Sequence, residues 1–309
     1  MKVVFFGTPD FAATVLQYLL DHDVDVVAVI SKPDKPKGRS RKLQPTAVKL
    51  VAEENQIPIY QPETVSDPAF ADILRIYDAD LFVVVAYGEI IKQHLLDMPK
   101  LGCINLHTSL LPKYRGAAPV QRAIINGEKE TGVTIIHMVK KMDAGDMIHV
   151  VRIPIEKDAT FGEVEKKLCE VGSKAFLEVI RDFEKGRIKE VAQNAEYVTF
   201  APKIELEDCE IDWHLPATTL HNLIRGVNPY PGAWCYVTAK GEKKRLKIHR
   251  TIVEEGVTAK PGEILSCDKT GMVVGCGKEA LRILEFQLEG KKAMSPMDLT
   301  RGSPISFKE

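Results

Sequence analysis

The sequence has few of the patterns that mark disulfide frameworks or metal sites. Its six cysteines are scattered through 309 residues, with no C-x-x-C pair and no grouping with the eight histidines. This scatter suits free thiols in a reducing compartment better than a disulfide framework or a zinc site, and we expect no metal. The cysteines are Cys103, Cys169, Cys209, Cys235, Cys267 and Cys276.

Long apolar runs and a marked net charge are also absent. No run approaches the ~18 apolar residues of a membrane-spanning helix, and Met1 leads directly into a strand without the features of a signal peptide. We therefore expect a cytoplasmic protein that does not contact a membrane. The formal net charge of -1 excludes a globally basic nucleic-acid binder, so any such binding must use local patches.

The first strand lacks the glycine pattern of dinucleotide-binding enzymes. Lys2–Phe6 predicts a buried strand, Phe11–Leu20 a helix and Val24–Ile30 a second buried strand, which together form a βαβ unit. The turn after the first strand holds Gly7 rather than G-x-G-x-x-G, and no acidic residue ends the second strand. The sequence therefore predicts a Rossmann-like sheet but argues against a nicotinamide enzyme.

Strands and helices continue to alternate, and the pattern changes in the last hundred residues. A chain of 309 residues favours two domains. We predict a doubly wound, mostly parallel α/β sheet followed by a small OB-like β-barrel of five short strands. The remaining strands of the first domain are predicted at Ile57–Tyr60, Asp80–Ala86, Leu101–His107, Thr131–Val139 and Ile148–Ile155, and those of the barrel at Trp234–Val237, Lys247–Ile252, Gly262–Ser266, Gly271–Gly275 and Ala280–Gln287.

The stretch with the most informative chemistry is residues 103–119, which read CINLHTSLLPKYRGAAP. Asn105 and His107 are two apart at the end of a predicted strand, so their side chains point to one face. An amide donor beside a titratable imidazole can stabilise a developing oxyanion. The same spacing also suits a hydrogen-bonded polar pair at a strand end, and both interpretations stay open.

A turn with two carboxylates follows the next strand, in the segment KMDAGDM at 141–147. A carboxylate of this turn that reached His107 would favour the charged imidazole. Asp and Gly also occur in ordinary turns, where they supply local hydrogen bonds and positive φ angles. Spacing alone does not choose between Asp143 and Asp146.

Two segments are locally basic. Residues 31–49 carry seven lysines and arginines against one aspartate, and their prolines and glycine predict a long loop without regular structure. Residues 240–250 carry six basic residues against Glu242, in a predicted hairpin. Such segments suit a polyanion, with nucleic acid the best fit, whereas solvated charge that only maintains solubility is the alternative.

Six motifs, taken in order, resemble one enzyme family. They are GTPDF at 7–11, PDKPKGRSRKLQP at 33–45, VVVAYGEII at 83–91, INLHTSLLPKYRGAAPVQRAI at 104–124, TGVTIIHMVKKMDAGDM at 131–147 and NPYPGAW at 228–234. Together they closely resemble the methionyl-tRNA formyltransferases over nearly the whole chain. The core N-x-H, S-L-L-P and D-x-G pattern is shared with other 10-formyltetrahydrofolate-dependent formyltransferases, whereas the basic segment, RGAAP and the barrel separate the chain from them.

The resemblance implies a role for each part of the chain. It implies a formyltransferase catalytic domain over 1–189, a linker over 190–205 and a tRNA-binding β-barrel over 206–309, with Asn105, His107 and Asp143 as the catalytic set. The implied folate-binding residues are Ser109, Leu110, Leu111, Pro112, Ala86, Tyr87 and Gly88. The implied tRNA-binding residues are Lys37, Arg39, Arg41, Lys42, Arg115, Lys243, Lys244 and Arg245.

The resemblance also implies the reaction. A monomer would transfer the formyl group of 10-formyltetrahydrofolate, a cosubstrate, to the α-amine of initiator methionyl-tRNA for translation initiation. One alternative is a folate-dependent formyltransferase that acts on a small amine, such as a nucleotide or an amino sugar. The basic segments and the barrel argue against it. The other alternative is a tRNA-binding protein without enzymatic activity, in which the Asn, His and Asp residues are incidental.

Overall fold

The computed structural model describes residues 1–37, 42–239, 241–297 and 305–307. The chain forms two compact units built from interleaved segments. The first unit contains Met1–Gly116, Gly132–Ile153 and Glu165–Phe200, and the second contains Ala117–Thr131, Pro154–Val164 and Ala201–Glu309. The predicted boundaries at 189 and 206 stay a prediction, because the chain enters the second unit more than once.

A seven-stranded sheet forms the centre of the first unit, in the order β10-β9-β7-β6-β1-β2-β5. The chain starts at β1, runs outward to β5 and then crosses to β6 on the other side. Four of the strand pairs are parallel, and β7 pairs antiparallel with β9. This confirms the doubly wound, mostly parallel sheet. The strands are β1 Val3–Gly7, β2 Val26–Ile30, β5 Ile59–Tyr60, β6 Leu81–Val85, β7 Cys103–His107, β9 Glu130–His137 and β10 Met147–Pro154.

The sequences of the central strands explain why they lie in the middle of the sheet. Strands β1 and β6 read VVFFG and LFVVV, and every residue of both is buried. Parallel strands are covered on both faces, so they carry continuous apolar runs rather than alternating ones. The helices are α1 Asp10–Leu20, α2 Ala47–Glu54, α3 Pro68–Arg75, α4 Gln93–Leu96, α5 Pro119–Ile125, α6 Phe161–Glu184 and α7 Ala217–Gly226. No helix in the described part of the chain is long and apolar enough to cross a membrane.

The basic segment 31–49 differs from its prediction. It was expected to lack regular structure, but β3 (Lys35–Lys37) pairs antiparallel with β4 (Lys42–Gln44). A two-stranded ribbon leaves one edge of each strand open, so Pro36 can lie in it without removing a bond from a sheet interior. Arg39 and Arg41, two of the predicted tRNA contacts, lie outside the described residues.

The second unit contains an antiparallel sheet of six strands in the order β14-β15-β16-β13-β12-β17. Its two edges come close together, since a Cβ atom added at Gly262 would lie 3.2 Å from the backbone oxygen of Phe307. The sheet is therefore a nearly closed barrel, which confirms the small barrel domain. The prediction missed β17, and β13 is longer than expected. The strands are β12 Ala233–Ala239, β13 Glu242–Glu254, β14 Ile264–Asp268, β15 Gly271–Gly275, β16 Ala280–Leu288 and β17 Ile305–Ser306; two further short strands are β8 Arg115–Gly116 and β11 Phe200–Ala201.

Candidate active site

Strand β7 places two polar side chains at the binding edge of the sheet. It lies between β6 and β9, where Asn105 pairs with Val84 and Ile136. The parallel strands β1, β6 and β7 all end at the same edge, and the crevice at that edge is where open α/β sheets bind ligands. His107 is the last residue of β7, so both side chains lie at this edge.

The imidazole of His107 is buried, with 6% of the residue exposed. Its Nε2 lies 2.9 Å from the carbonyl oxygen of Tyr114, and because a carbonyl only accepts, Nε2 carries the hydrogen and donates it. Its Nδ1 lies 3.7 Å from Oδ1 of Asp143. Hydrogens on both nitrogens would therefore each face an oxygen acceptor.

The structure distinguishes between the two carboxylates of the DAGD turn. Asp143 points to His107, and its Oδ2 accepts a hydrogen bond of 2.8 Å from the backbone N–H of Gly116. The side chain of Asp146 is exposed, and its backbone oxygen accepts from His137 at 3.0 Å. Spacing left this choice open, because the turn alone does not show which carboxylate points back to the sheet, whereas the motif resemblance implied Asp143.

A partly buried side-chain network holds the backbone of the turn. Arg115 is 6% exposed, and its Nε and Nη2 donate to Oε1 of Gln193 at 3.1 and 2.7 Å. The amide nitrogen of Gln193 then donates to the backbone oxygens of Asp143 and Gly145, both at 2.8 Å. Arg115 was predicted to contact tRNA. Its side chain is instead buried in this support, so we do not include it among the proposed tRNA contacts.

The loop after β7 contains the first four predicted folate-binding residues. Ser109 is 1% exposed, and its hydroxyl donates to the backbone oxygen of Lys113 at 2.7 Å. The hydroxyl of Thr134 donates to the Ser109 backbone oxygen at 2.7 Å and accepts from the Leu111 N–H at 3.2 Å. Leu111 is buried, whereas Leu110 and Pro112 are partly exposed. The side chains that remain open to a ligand here are therefore apolar.

The turn after β6 contains the other three predicted folate-binding residues, Ala86, Tyr87 and Gly88. Tyr87 is 2% exposed and packs edge-on against Phe6. Burial raises the pKa of Tyr87, and its hydroxyl has no hydrogen-bond partner among the described residues. Gly88 has a φ of +86°, and no described atom lies within 4 Å of where its Cβ would be. Ala86 and Gly88 are thus the exposed residues of this turn, and neither has a side chain larger than a methyl group.

The predicted tRNA-binding residues of the second unit lie on β13. Lys243 lies over the ring of Tyr236 at 4.1 Å, and Arg245 over the ring of Trp234 at 4.4 Å. Lys244 forms an ion pair of 3.0 Å with Glu242. In the first unit Lys42 is exposed on β4, whose backbone pairs with Lys37. Cations held against aromatic rings can still present charge to a phosphate.

Within the described ranges, no three His, Cys, Asp or Glu side chains are grouped so that they could hold a metal ion. The six cysteines are free, and burial is the main cause that raises the thiol pKa of each of them.

Comparisons with known proteins show which chains this one is similar to. A family model described as formyl transferase matches residues 1–180, and one described as formyl transferase, C-terminal domain, matches residues 203–304. A methionyl-tRNA formyltransferase of Protochlamydia amoebophila is 62% identical over 302 residues, which cover 98% of this chain and 95% of that protein. The chain belongs to the formyl transferase family. A methionyl-tRNA formyltransferase of Chlamydia pneumoniae is 42% identical and covers 98% of this chain and 96% of its own.

Solved structures share the formyl transferase fold. The sugar 3N-formyl transferase WlaRD has a TM-score of 0.69 at 20% identity, covering 94% of this chain and 99% of that one. HypX from Aquifex aeolicus, in complex with tetrahydrofolic acid, has a TM-score of 0.64 at 19% identity, covering 96% of this chain and 46% of its own. At these identities the likeness establishes the fold alone.

Three supporting residues of this formyl transferase had no signal in the sequence. Gln193 lies in a stretch without periodicity, yet it holds two backbone oxygens of the Asp143 turn. Thr134 lies in β9 and Thr199 in the same aperiodic stretch; the Thr199 hydroxyl accepts from the N–H of Tyr114 at 2.9 Å. That bond holds Tyr114, whose carbonyl oxygen accepts the hydrogen bond from His107. Such contacts join residues that are distant in sequence, so spacing cannot predict them.

Proposed function

We propose that the protein transfers the formyl group of 10-formyltetrahydrofolate to the α-amine of initiator methionyl-tRNA. The observation that supports this substrate pair is the 62% identity, over 98% of the chain, to a methionyl-tRNA formyltransferase. The chemistry is supported by Asn105, His107 and Asp143, which lie at one edge of the sheet. Because this reaction belongs to translation initiation, we place the protein in the cytoplasm.

The first chemical step is attack of the neutral α-amine on the formyl carbon bound to N10 of the folate. A bond from nitrogen to carbon forms, and the carbonyl oxygen becomes an oxyanion. The amide of Asn105 and the imidazole of His107 are the donors that stabilise it, and donors of this kind lower the barrier because they are fixed before charge develops. Since Nε2 of His107 is bound to the Tyr114 carbonyl, Nδ1, which lies on the side of Asp143, is the nitrogen left to act on the substrate.

The second step breaks the bond between the formyl carbon and N10. The amine loses a proton and N10 gains one, so the overall transfer needs no covalent enzyme intermediate. Asp143 faces Nδ1 of His107 at 3.7 Å, and we assign it as the group that accepts a proton from the amine. The Gly116 N–H fixes the other carboxylate oxygen, so this side chain cannot turn away.

Binding is divided between the two units. In the first, the loop of Ser109, Leu110, Leu111 and Pro112 and the backbone of Ala86, Tyr87 and Gly88 line the folate site. The residues proposed for tRNA are cations of the two basic segments, with Lys37, Arg39 and Arg41 taken from the motif alone. They are Lys37, Arg39, Arg41 and Lys42 in the first unit and Lys243, Lys244 and Arg245 in the second.

A single-turnover experiment tests the proposal by offering methionyl-initiator tRNA and glycinamide ribonucleotide together with 10-formyltetrahydrofolate. We expect formylation of the tRNA. Formylation of the small amine alone would contradict the substrate assignment while keeping the chemistry. Binding of tRNA with no transfer to either acceptor, and no folate binding, would instead favour a protein that only binds tRNA.

The proposed catalytic role of Asp143 can be tested against Asp146, a second aspartate in the same turn. We expect His107→Ala and Asn105→Ala each to lower the single-turnover rate by about 10²–10³, the usual cost of losing an oxyanion donor. Asp143→Asn should lower the rate as well, whereas Asp146→Asn, which makes the same change on an exposed side chain, should stay within about twofold of the wild type. Equal effects of the two Asp substitutions would contradict the role of Asp143.

A further inference from the structure

The basic hairpin, defined as β3 (Lys35–Lys37) with β4 (Lys42–Gln44), has little internal support. Its register comprises three residue pairs, and Leu43 is 68% exposed. An isolated two-stranded ribbon is marginally stable in water. The direction in which this hairpin projects must therefore be set by the residues just before and after it.

Asp34, immediately before β3, is held by two side chains from other elements. Its Oδ2 forms an ion pair of 2.7 Å with Nζ of Lys49 in α2, and its Oδ1 accepts a hydrogen bond of 2.6 Å from the amide of Gln61, just after β5. The same amide donates to the backbone oxygen of Lys32 at 2.8 Å. The side chains of Lys49 and Asp34 are only 22% and 23% exposed, so solvent screens this pair less than a surface ion pair.

The other end of the hairpin is attached to the same helix. Thr46 caps α2, since its hydroxyl oxygen accepts from the N–H of Lys49 at 3.2 Å. That hydroxyl also lies within hydrogen-bond distance, 2.7 Å, of the hydroxyl of Ser31 at the end of β2. The residues on both sides of the hairpin are thus tied to α2.

Attraction to a polyanion does not explain why an acidic residue, Asp34, lies in this basic segment. It is the one acidic residue among residues 31–49, which carry seven basic residues. A carboxylate in a segment that binds a polyanion weakens the attraction. Hydrogen bonds from Gln61 and Lys49 lower the pKa of Asp34, so the carboxylate is charged at neutral pH.

We propose that Asp34, Gln61 and Lys49 are positioning residues, which form an anchor that aims the basic hairpin at the tRNA. This inference rests on the proposed function, because it assigns a geometry to tRNA binding. Charge and position predict opposite changes in tRNA affinity when the Asp34 carboxylate is removed. If charge alone matters, the loss of a negative charge next to the hairpin should tighten tRNA binding. If the anchor matters, its loss should weaken tRNA binding.

The test compares Asp34→Ala with Glu54→Ala, which removes an exposed carboxylate at the end of α2. We expect Asp34→Ala to raise the KM for methionyl-tRNA and the Kd for tRNA, measured without folate, by about 5–10-fold, equal to about 1–1.4 kcal/mol. The KM for folate and the rate at saturating tRNA should stay within about twofold. Glu54→Ala should leave both tRNA constants unchanged or slightly lower. Unchanged or tighter tRNA binding by Asp34→Ala would overturn the proposal.

Two further variants keep the test decisive. Gln61→Leu removes one donor to Asp34 without changing charge, so it should also weaken tRNA binding even if Asp34→Ala folds poorly. Asp34→Asn can still accept the bond from Gln61 and should restore part of the affinity. If the wild type formylates methionyl-tRNA but the two anchor variants bind tRNA normally, the anchor is wrong and the function stands. If the wild type does not formylate it, the function is wrong, and the binding constants still decide the anchor.

Discussion

Gly145 lies in the turn that contains Asp143, the carboxylate that we propose as catalytic. A Cβ atom at this position would lie 1.6 Å from the backbone oxygen of His137, far inside any real contact. The backbone of Asp143, two residues earlier, has a φ of +50°, and its side chain accepts a hydrogen bond from the N–H of Gly116. The turn can therefore pack against the backbone of His137 only because Gly145 has no side chain. Any shift of the turn would also move Asp143.

We predict that Gly145→Ala lowers the single-turnover formylation rate by at least about 10²-fold, because a misplacement of about 1 Å in the reacting geometry can cost that much. The control is Gly186→Ala, where φ is +61° but no described atom lies within 4 Å of the new Cβ. That variant should lose about 1 kcal/mol of stability from its backbone conformation and retain its rate. Rates and thermal unfolding of both variants check the prediction. A normal rate for Gly145→Ala would mean that the turn can move without cost to catalysis.

At the scale of one element, helix α6 begins with a reciprocal capping box. The N–H and hydroxyl of Thr160 donate to Oε2 of Glu163 at 2.8 and 3.0 Å, and the Glu163 N–H donates back to the Thr160 hydroxyl at 3.3 Å. Arg250 donates to Oε1 of Glu163 at 2.6 Å. The backbone bond from Thr160, followed by the bond from Arg250, lowers the pKa of Glu163 to about 2.

A depressed carboxyl pKa gives stability that is present above the unfolded pKa, about 4.5, and is lost as the pH falls towards 2. The Glu163 side chain is 47% exposed, so we expect solvent to reduce its contribution to about 1 kcal/mol. Glu163→Gln should therefore lower the free energy of unfolding at pH 7, and the difference from wild type should shrink below pH 4.5. Urea unfolding at several pH values measures it. Glu170→Gln, with the same charge change on an exposed part of α6, should show little effect; a pH-independent loss in Glu163→Gln would contradict the mechanism.

Elements were predictable where one local pattern decides them. The apolar runs of β1 and β6 predicted buried strands, and the spacing of Asn105 and His107 in β7 predicted one shared face; the motifs also predicted the family, which the comparisons confirm. The basic hairpin was missed because Pro36 and the neighbouring charges oppose a sheet interior but not an open ribbon. Two-residue β17 is too short to show a period. The motif resemblance implied Asp143, whereas spacing could not choose it, because its orientation depends on the Gly116 N–H and on Gln193, which only the folded chain brings together.

At the scale of the whole molecule, a net charge of -1 means that attraction to tRNA must come from local patches. On β13, Lys243 and Lys244 belong to such a patch, and neither side chain is buried. Arg245 lies over Trp234, a residue of the barrel core, so its removal would disturb packing as well as charge. Lys243 and Lys244 are therefore the better probes of electrostatic binding.

We predict that Lys243→Ala/Lys244→Ala weakens tRNA binding most at low salt. Each phosphate contact adds about 0.7–0.9 to the slope of log K against log salt concentration, so the double variant should reduce the slope by about 1.4–1.8 if both lysines contact phosphates. Titrations at four salt concentrations measure the slope. The control, Lys166→Ala/Lys167→Ala, removes two exposed lysines of α6 and the same charge. If both pairs changed the slope equally, tRNA would respond to net charge rather than to the β13 patch, and the barrel would lose its proposed role.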